Sequence, residues 1–301
     1  MLPLFPHFKK LKISDKKDIE RFTFKFPSYS DFSFSSLWAW NKDENIEISR
    51  LKGNLVIKFQ DYLTHEYFYS FIGNDQVLYT IKTLLSFAEK KGLERKLKLI
   101  PKSNFDKISL KTIRKKFNIT EDKNNHDYIL NVGKIASMRG RSLHQKRKML
   151  NHFFKNYEYG VKARILDHSD KKKVLALFSS WEKYRGKKHS ETDNELNAIK
   201  RLFIDPKILN LTIVYATNHT ALVGYTIFEI IDGSYAVSCF QKADPRYKGG
   251  FELLNFLMAK YLRIRGCKYI NVEQDLGIEG LRRAKLDYNP TYLKKYIIRR
   301  K

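Results

Sequence analysis

The 301-residue chain has only two cysteines, Cys239 and Cys267, and no Cys and His spacing typical of a zinc site. This excludes a disulfide framework, and we interpret both cysteines as small buried apolar residues in a reducing compartment. No apolar run approaches the ~18 residues that cross a bilayer, and Met-Leu-Pro-Leu-Phe-Pro at the start is too short for a signal peptide. We therefore expect a cytoplasmic protein without a metal ion or a transmembrane segment.

Acidic residues are scarce relative to basic ones. The 58 Lys plus Arg outnumber the 32 Asp plus Glu, so the formal net charge is +26. Such a charge attracts polyanions, either nucleic acid such as tRNA or the surface of an anionic membrane. The segment RGRSLHQKRK, residues 139–148, is basic and free of acids. The alternative, in which the lysines simply cover solvated faces, stays open.

Hydrophobic periodicity indicates the same order of elements twice along the chain. The second half shows the clearer pattern of strand, two helices, three antiparallel strands, helix, strand, helix and strand, and the first half approximates it. We therefore predict an α/β fold with mixed sheets, divided into two similar domains. Their predicted bounds are 1–135 and 136–301, and the second domain opens with a long basic helix.

Four stretches carry a resemblance to a known family: FPSYSDFSFSSLWAWN, DYILNVGKIASMRGRSLHQKRKMLNHF, CFQKADPRYKGGFELLN and NVEQDLGIEGLRRAKLDYNPTYLKKY. With this order of elements, the chain resembles the C-terminal-like domain family of phosphatidylglycerol lysyltransferase (aminoacyl-phosphatidylglycerol synthase). That family is related to the Fem peptidyltransferases. The resemblance implies two tandem acyl-CoA N-acyltransferase-like (GNAT) domains. It also implies that the chain transfers an aminoacyl group from aminoacyl-tRNA to an amine or hydroxyl acceptor such as a phospholipid head group. No cofactor is firmly implied.

The stretch KYINVEQD predicts a strand whose alternate side chains form a polar face: Tyr269, Asn271, Glu273 and Asp275. In the fold that the chain resembles, this strand lies at the splayed centre of the sheet, where the reacting end of the acyl donor is held. We interpret Glu273 or Asp275 as a partner for the amino group of an aminoacyl donor, with Asn271 beside them.

The next stretch, IEGLRRAK, predicts a short helix after a turn at Gly277. Arg282 or Lys285 on this helix is a candidate to meet a phosphate or a developing oxyanion. The alternative is that acids and bases here form an internal salt-bridge network that only fixes the helix.

The helix around SLHQKRKMLNHFFKNY carries an apolar stripe that contains one charge, Arg147. The stripe consists of Leu143, Leu150, Phe154 and Tyr157. Arg147 either pairs with a carboxylate such as Glu273, lines a tunnel for an anionic ligand, or uses its stem as apolar filler. His144 beside it is a candidate base or a structural residue.

The stretch QKADPRYKGGFE lies where acyl-CoA transferases of the resembled fold cradle a pyrophosphate at a helix N-terminus. Arg246 and Gly249 match that loop in part, but Phe251 replaces its last small residue. The bulky ring argues against coenzyme A and favours aminoacyl-tRNA as the donor. Lys242 and Lys248 are then candidate phosphate contacts, or ordinary surface lysines.

Two alternatives to aminoacyl transfer remain from the sequence. The chain is either an acyl-CoA-dependent N-acyltransferase that uses coenzyme A thioesters, or a non-catalytic module that binds RNA or an anionic membrane. No Ser-His-Asp, Cys-His or metal arrangement is legible, so we expect no covalent intermediate. In either case a peripheral position at the inner face of the membrane is compatible with the basic charge.

Overall fold

The computed structural model describes residues 1–61, 64–231 and 233–301, with the backbone alone for residues 189–191. The described chain divides into two compact units. The first comprises Met1–Asp127, Gln274–Gly277 and Tyr292–Lys301, and the second comprises Tyr128–Glu273 and Ile278–Thr291. The predicted domain bounds, 1–135 and 136–301, stay a prediction about the two related halves.

The N-terminal part of the chain supplies short helices and strands of a first sheet. Its helices are α1 Lys16–Thr23, α2 Phe34–Ala39, α3 Val77–Lys90 and α4 Leu110–Lys116. Its strands are β1 Lys9–Lys10, β2 Glu47–Leu51, β3 Asn54–Gln60, β4 Tyr67–Ile72, β5 Lys96–Pro101 and β6 Phe117–Glu121.

The remainder of the chain supplies the other helices and strands. Its helices are α5 Val132–Ser137, α6 His144–Asn156, α7 Lys171–Tyr184, α8 His189–Arg201, α9 Pro206–Leu209, α10 Gly250–Ile264 and α11 Glu279–Leu286. Its strands are β7 Asp127–Asn131, β8 Gly160–Ile165, β9 Thr212–Asn218, β10 Ala221–Ile230, β11 Tyr235–Ala243, β12 Tyr269–Asn271, β13 Thr291–Leu293 and β14 Lys295–Arg300.

The strands form two mixed sheets. The first has the order β1-β2-β3-β4-β5-β14-β6, and the second has the order β13-β7-β12-β11-β10-β9-β8. Each contains one parallel pair, β4 with β5 and β11 with β12, among pairs that are otherwise antiparallel where their register is defined. The predicted mixed α/β class and the doubled order of elements are therefore confirmed.

Three local predictions differ from the structure. The long basic helix is interrupted, because Met138 and Gly140 adopt positive φ angles of 48° and 103° and end α5 six residues before α6 begins. The sequence predicts a helix over FDKISLKTIRKKF, but α4 ends at Lys116 and β6 begins at Phe117. The extended C-terminal run forms two strands, and the second, β14, pairs with β5 and β6 of the first sheet instead of following β13.

The core of the second unit lies between its sheet and α10. Leu253, Leu254, Leu257, Met258 and Leu262 recur at helical spacing on α10 and are buried against that sheet. The two cysteines are also buried, as predicted from their scarcity. Within the described residues, no helix combines the length and the apolar composition that crossing a bilayer requires.

Candidate active site

The polar face predicted for KYINVEQD does not extend beyond Asn271, where the strand ends. Strand β12 ends at Asn271, and Glu273 has a φ of 59°, which breaks the alternation of a strand. Ile270 enters the core as predicted, but Asn271 is buried as well, and its Oδ1 accepts a hydrogen bond from the main-chain N–H of Glu273 at 2.8 Å. The main chain of Val272 and Glu273 still hydrogen-bonds to Tyr128 of β7, so the chain stays beside this strand after β12 ends.

The two acids of this stretch lie in different units. Glu273 is half-buried in the second unit, and Asp275 is fully buried in the first. The Oδ1 of Asp275 accepts a hydrogen bond from the N–H of Gly277 at 2.7 Å, and Gly277 has a φ of 79°. The tight turn predicted at Gly277 is therefore present, and the Asp275 carboxylate contributes to holding it.

Helix α11 carries the two candidate oxyanion contacts. Arg282 and Lys285 are both half-buried. The Lys285 ammonium lies 5.7 Å from the centre of the Tyr128 ring, a cation–π contact within the second unit. Their roles toward a substrate stay predictions.

Arg147 binds the end of a neighbouring helix. Its Nη1 donates hydrogen bonds to the carbonyls of Met138 at 2.7 Å and Gly140 at 3.3 Å, just after α5 ends. The last carbonyls of a helix lack partners within it, so a guanidinium is well placed to satisfy them. These bonds give Arg147 a structural role, and its predicted role toward a ligand stays untested.

The α6 stripe is confirmed at Leu143 and Leu150, which are buried, and at Tyr157, which packs against the same core, but it is wrong at Phe154. Phe153 is completely buried, whereas Phe154, which was assigned to the packing face, is 39% exposed. His144 is exposed at the first position of α6.

Lys242 is a buried, paired lysine on β11. Its Nζ lies 2.8 and 2.9 Å from the two carboxylate oxygens of Glu195 and 3.9 Å from the centre of the Trp181 ring. Only 8% of Lys242 is exposed, so it is not an ordinary surface lysine. A phosphate at this position would have to compete with Glu195.

The loop before α10 is organised by its own residues. Arg246 donates from Nε to both oxygens of Asp244 at 3.0 Å and from Nη2 at 2.5 Å. Burial opposes ionisation of Asp244, but the hydrogen bonds and charge of Arg246 outweigh it and lower the pKa of this carboxyl. Lys248 is exposed.

Gly249 has a φ of 89°, and a Cβ on it would lie 2.3 Å from the carbonyl oxygen of Met149. The glycine therefore permits α6 to pack closely on the start of α10. Next to it, Phe251 leaves 44% of its surface exposed.

A buried ionic cluster in the first unit escaped sequence reasoning. The Lys295 ammonium contacts carboxylate oxygens of both Asp31 and Asp127, the latter at 2.8 Å. Asp127 also accepts hydrogen bonds from the main-chain N–H of Ser30 at 2.8 Å and from its hydroxyl at 2.6 Å. Gln274 donates from Nε2 to Asp31 at 2.6 Å. We call these five residues the Lys295 cluster.

Four of the five members of the Lys295 cluster lie in helices or strands, and Gln274 lies in the loop after β12. Ser30 and Asp31 occupy one turn of 3₁₀ helix, Ser30–Phe32, whose Phe32 is buried. Asp127 is the first residue of β7, and Lys295 is the first residue of β14. The side chains of Lys295 and Asp127 are 0% exposed, whereas that of Asp31 is 11% exposed. Asp31 is thus the carboxylate of the pair nearer to solvent.

The charges of the Lys295 cluster are unequal. Burial raises the pKa of Asp31 to about 6, and the negative Asp127 adds to this, while Lys295 acts in the opposite direction. For Lys295, burial favours the neutral amine, but Asp127 and Asp31 outweigh it and raise the pKa of the ammonium. Lys295 therefore stays charged, and Asp31 is the group that can exchange a proton near neutral pH.

His126 contacts the main chain of Lys295. Its Nδ1 accepts a hydrogen bond from the main-chain N–H of Lys295 at 3.1 Å, so the proton of the neutral ring lies on Nε2. Burial lowers the pKa of His126, which keeps this tautomer. Across the described part of the chain, no group of three His, Cys, Asp or Glu side chains is arranged to hold a metal ion.

A family model described as phosphatidylglycerol lysyltransferase, C-terminal, matches residues 24–299. The chain belongs to this family. All of the Lys295 cluster falls inside the matched residues. Family and fold together support an acyl- or aminoacyltransferase of the lysylphosphatidylglycerol synthase and Fem type.

Solved structures give the fold. A conserved protein of unknown function from Bacteroides thetaiotaomicron is 27% identical, with a TM-score of 0.85 and complete coverage of both chains. The C-terminal domain of a putative lysylphosphatidylglycerol synthetase from Agrobacterium fabrum is 10% identical, with a TM-score of 0.63 over 96% of this chain and 91% of that one. FemX is 9% identical, with a TM-score of 0.60 over 97% of this chain and 96% of that one.

A curated relative, an uncharacterized protein from Mycoplasmoides gallisepticum, is 24% identical over 199 residues. That match covers 64% of this chain and 62% of the relative's length.

Proposed function

We propose that the chain transfers an aminoacyl group from an aminoacyl-tRNA to an amine or hydroxyl acceptor such as a phospholipid head group. Membership of the family supports the reaction class, and the net charge of +26 supports a polyanionic donor. A cytoplasmic protein that works at the inner face of the membrane would meet both substrates.

The observation that carries this proposal is the Lys295 cluster. An aminoacyl ester is already activated, so its transfer needs positioning, a base for the nucleophile and stabilisation of the oxyanion. Asp31 combines partial exposure with a pKa of about 6, which makes its carboxylate a suitable base at neutral pH. In this proposal Asp31 takes the proton from the attacking amine or hydroxyl group as the new bond forms, and it returns that proton to the ribose oxygen of the tRNA as the ester bond breaks.

Lys295 has a positioning role in the same proposal. Its ammonium contacts both Asp31 and Asp127, and Ser30 donates to Asp127 from the opposite side. Gln274 donates to Oδ1 of Asp31 and the Lys295 ammonium contacts its Oδ2, so two donors fix the orientation of this carboxylate. Because Lys295 is completely buried, we assign it no contact with the substrate.

Among the residues predicted from sequence, Glu273 or Asp275 stays a candidate partner for the amino group of the donor. Arg282 or Lys285 stays a candidate contact for a phosphate or a developing oxyanion. Lys242 and Arg246 are weaker candidates for phosphate, because each already binds a carboxylate of its own unit.

Close packing at the start of α10 argues against a coenzyme A thioester as donor. The pyrophosphate of coenzyme A needs free N–H groups and small residues at a helix N-terminus. Here Gly249 is packed on the carbonyl of Met149, and the ring of Phe251 stands at the first turn. Tight acetyl-CoA binding in calorimetry would reverse this preference.

The proposal is tested by incubating the full chain with a mixture of labelled aminoacyl-tRNAs and either anionic phospholipid vesicles or soluble amines. We expect transfer of label to one acceptor class, and at least a hundredfold slower transfer by Asp31→Asn. Asp106→Asn, an exposed acid of the same unit, is the matched control and should retain activity.

The opposite results are equally clear. Full activity of a folded Asp31→Asn variant would remove Asp31 as the base. Absence of transfer from every aminoacyl-tRNA, with RNA or membrane binding intact, would favour the non-catalytic binding module.

A further inference from the structure

The surface formed by α6, β8 and α10 in the second unit exposes an unusual number of large apolar side chains. Phe154 is 39% exposed, Tyr159 42%, Val161 50% and Ile165 48%. Scattered exposed apolar residues need no explanation, but a group on neighbouring elements marks an interaction site. We call this group and the basic residues around it, Lys148, Lys155, Lys260 and Arg263, the α6–β8 surface.

Contacts between rings join the α6 and α10 sides of this surface. The Phe154 ring centre lies 5.3 Å from that of Tyr159, in a stacked arrangement, and 6.1 Å from that of Phe256 on α10. The aromatic residues therefore form one continuous patch across the two helices and the start of β8.

The strand register places the aliphatic residues on the same side. Val161 is paired with Ala216, which belongs to the core beneath α10, and directly paired residues of antiparallel strands point to the same face. Ile165 lies four residues further on and shares that face by alternation. Because β8 is the last strand of its sheet, this face extends past the helices that cover its neighbours.

The charges that surround the patch are mainly positive. Lys148 and Lys155 are exposed on α6, a helix whose sequence contains no acid. On α10, Lys260 places its ammonium 5.3 Å from the centre of the Phe256 ring, and Arg263 is exposed one turn later. Glu158 is an exposed acid at the margin, with a ring nitrogen of His219 3.7 Å from its carboxylate.

This combination of exposed apolar and basic residues fits an anionic lipid surface better than it fits RNA or a second copy of the chain. Branched aliphatic side chains such as Val161 and Ile165 cannot stack on bases, so RNA would leave them unused. A second copy of the chain would bring its own positive charge against this one. Apolar side chains that enter the acyl boundary, flanked by lysines and arginines that meet lipid phosphates, are the pattern of peripheral membrane binding.

We propose that the α6–β8 surface docks the protein on anionic membranes by inserting Phe154, Tyr159, Val161 and Ile165. The inference deepens the proposed function, on which it rests only for the view that a lipid head group is the acceptor. Docking itself requires no catalysis.

The test is co-sedimentation of the full chain with vesicles of phosphatidylcholine containing 30 mol% phosphatidylglycerol, a composition chosen for about physiological surface charge. The double variant Val161→Ser/Ile165→Ser should bind at least tenfold more weakly. The double variant Lys155→Ala/Lys260→Ala should bind about twenty-five-fold more weakly, at about fivefold per removed charge.

Matched controls lie elsewhere in the same unit. Ile204→Ser removes an apolar side chain that is 55% exposed, and Lys171→Ala/Lys172→Ala removes two exposed charges at the start of α7. Both controls should bind vesicles like the unchanged protein, and thermal melts of all variants should coincide. Equal losses in the controls would show non-specific charge attraction and overturn the proposal.

Two further readouts separate the alternatives. If the α6–β8 variants lose tRNA binding and keep vesicle binding, the surface binds nucleic acid and the proposal is wrong. Transfer to a soluble acceptor should be unchanged in these variants, while transfer to vesicle lipid should fall with binding. Vesicle binding that depends on this surface, without any transfer activity, would support docking and refute only the proposed function.

Discussion

Replacement of Lys295 by Met should destabilise the first unit strongly. The ammonium is 0% exposed and touches two carboxylates, so its loss leaves Asp31 and Asp127 buried without a cation. Breaking such a buried pair costs about 3–5 kcal/mol. The neighbouring Lys294→Met is the matched control, because Lys294 is 42% exposed and pairs with Glu121 at the surface, where the loss should stay below about 1 kcal/mol.

Urea unfolding measures this difference. Tryptophan fluorescence in a Trp181→Phe background reports on the first unit alone, because the remaining Trp38 and Trp40 both lie there. With a slope of about 2 kcal/mol per molar urea, the Lys295→Met midpoint should fall by about 2 M and the Lys294→Met midpoint by less than about 0.5 M. Equal midpoints for the two variants would refute the view that the Lys295 cluster is a buried, mutually dependent network.

Three further predictions concern stability. The pKa of Asp31, about 6, lies above its ordinary value of 3.8, so the folded state holds this proton more tightly. The free energy of unfolding should therefore fall by about 2 kcal/mol as pH rises from 4 to 7, and Asp31→Asn should abolish that component in urea titrations across this range. Gly249→Ala should lower the free energy of unfolding by at least about 2 kcal/mol more than Gly266→Ala does in thermal melts. Both glycines have positive φ, but only a Cβ at Gly249 would meet a main-chain oxygen, so equal losses would contradict the close approach. Arg147→Met should lower the free energy of unfolding by about 2 kcal/mol, and Lys148→Met, at the adjacent exposed residue, should leave it almost unchanged. Similar values for the two variants would show that the hydrogen bonds from Arg147 do not contribute to stability.

Much of the fold was predictable because its elements carry their own patterns. Helices α7 and α10 and strands β9, β10 and β11 show clear helical or alternating periodicity, and each lies where the sequence indicates. The partner of β14 was not predictable, because alternation defines the two faces of a strand and leaves its neighbours undefined. The interruption between α5 and α6 depends on left-handed backbone at Met138, a residue that does not favour it by itself.

The candidate site was less predictable, because its members are far apart in the chain. Lys295 meets Asp127 across 168 residues and Asp31 across 264. Taken alone, the segment LKKYIIRRK is simply basic, and nothing in it distinguishes the buried Lys295 from the exposed Lys294. The nearest signal was the acid in SYSDFSF, flanked by aromatic residues that must be buried, since a carboxylate held there needs a partner. For Glu273, the strand pattern predicted a side chain on the same face as Tyr269 and Asn271, and the left-handed backbone of Glu273 itself invalidated that prediction.

The position of β14 between β5 and β6 has a consequence for biosynthesis. During translation, the first sheet cannot close until its penultimate strand, made last, has left the ribosome, and the Lys295 ammonium arrives only then. Until β14 is made, the edges of β5 and β6 that it joins lack this strand, and Asp31 and Asp127 lack the Lys295 ammonium. The second unit is complete once Thr291 has been made, whereas the first unit still lacks Tyr292–Lys301. We therefore expect the second unit to fold before the first is complete.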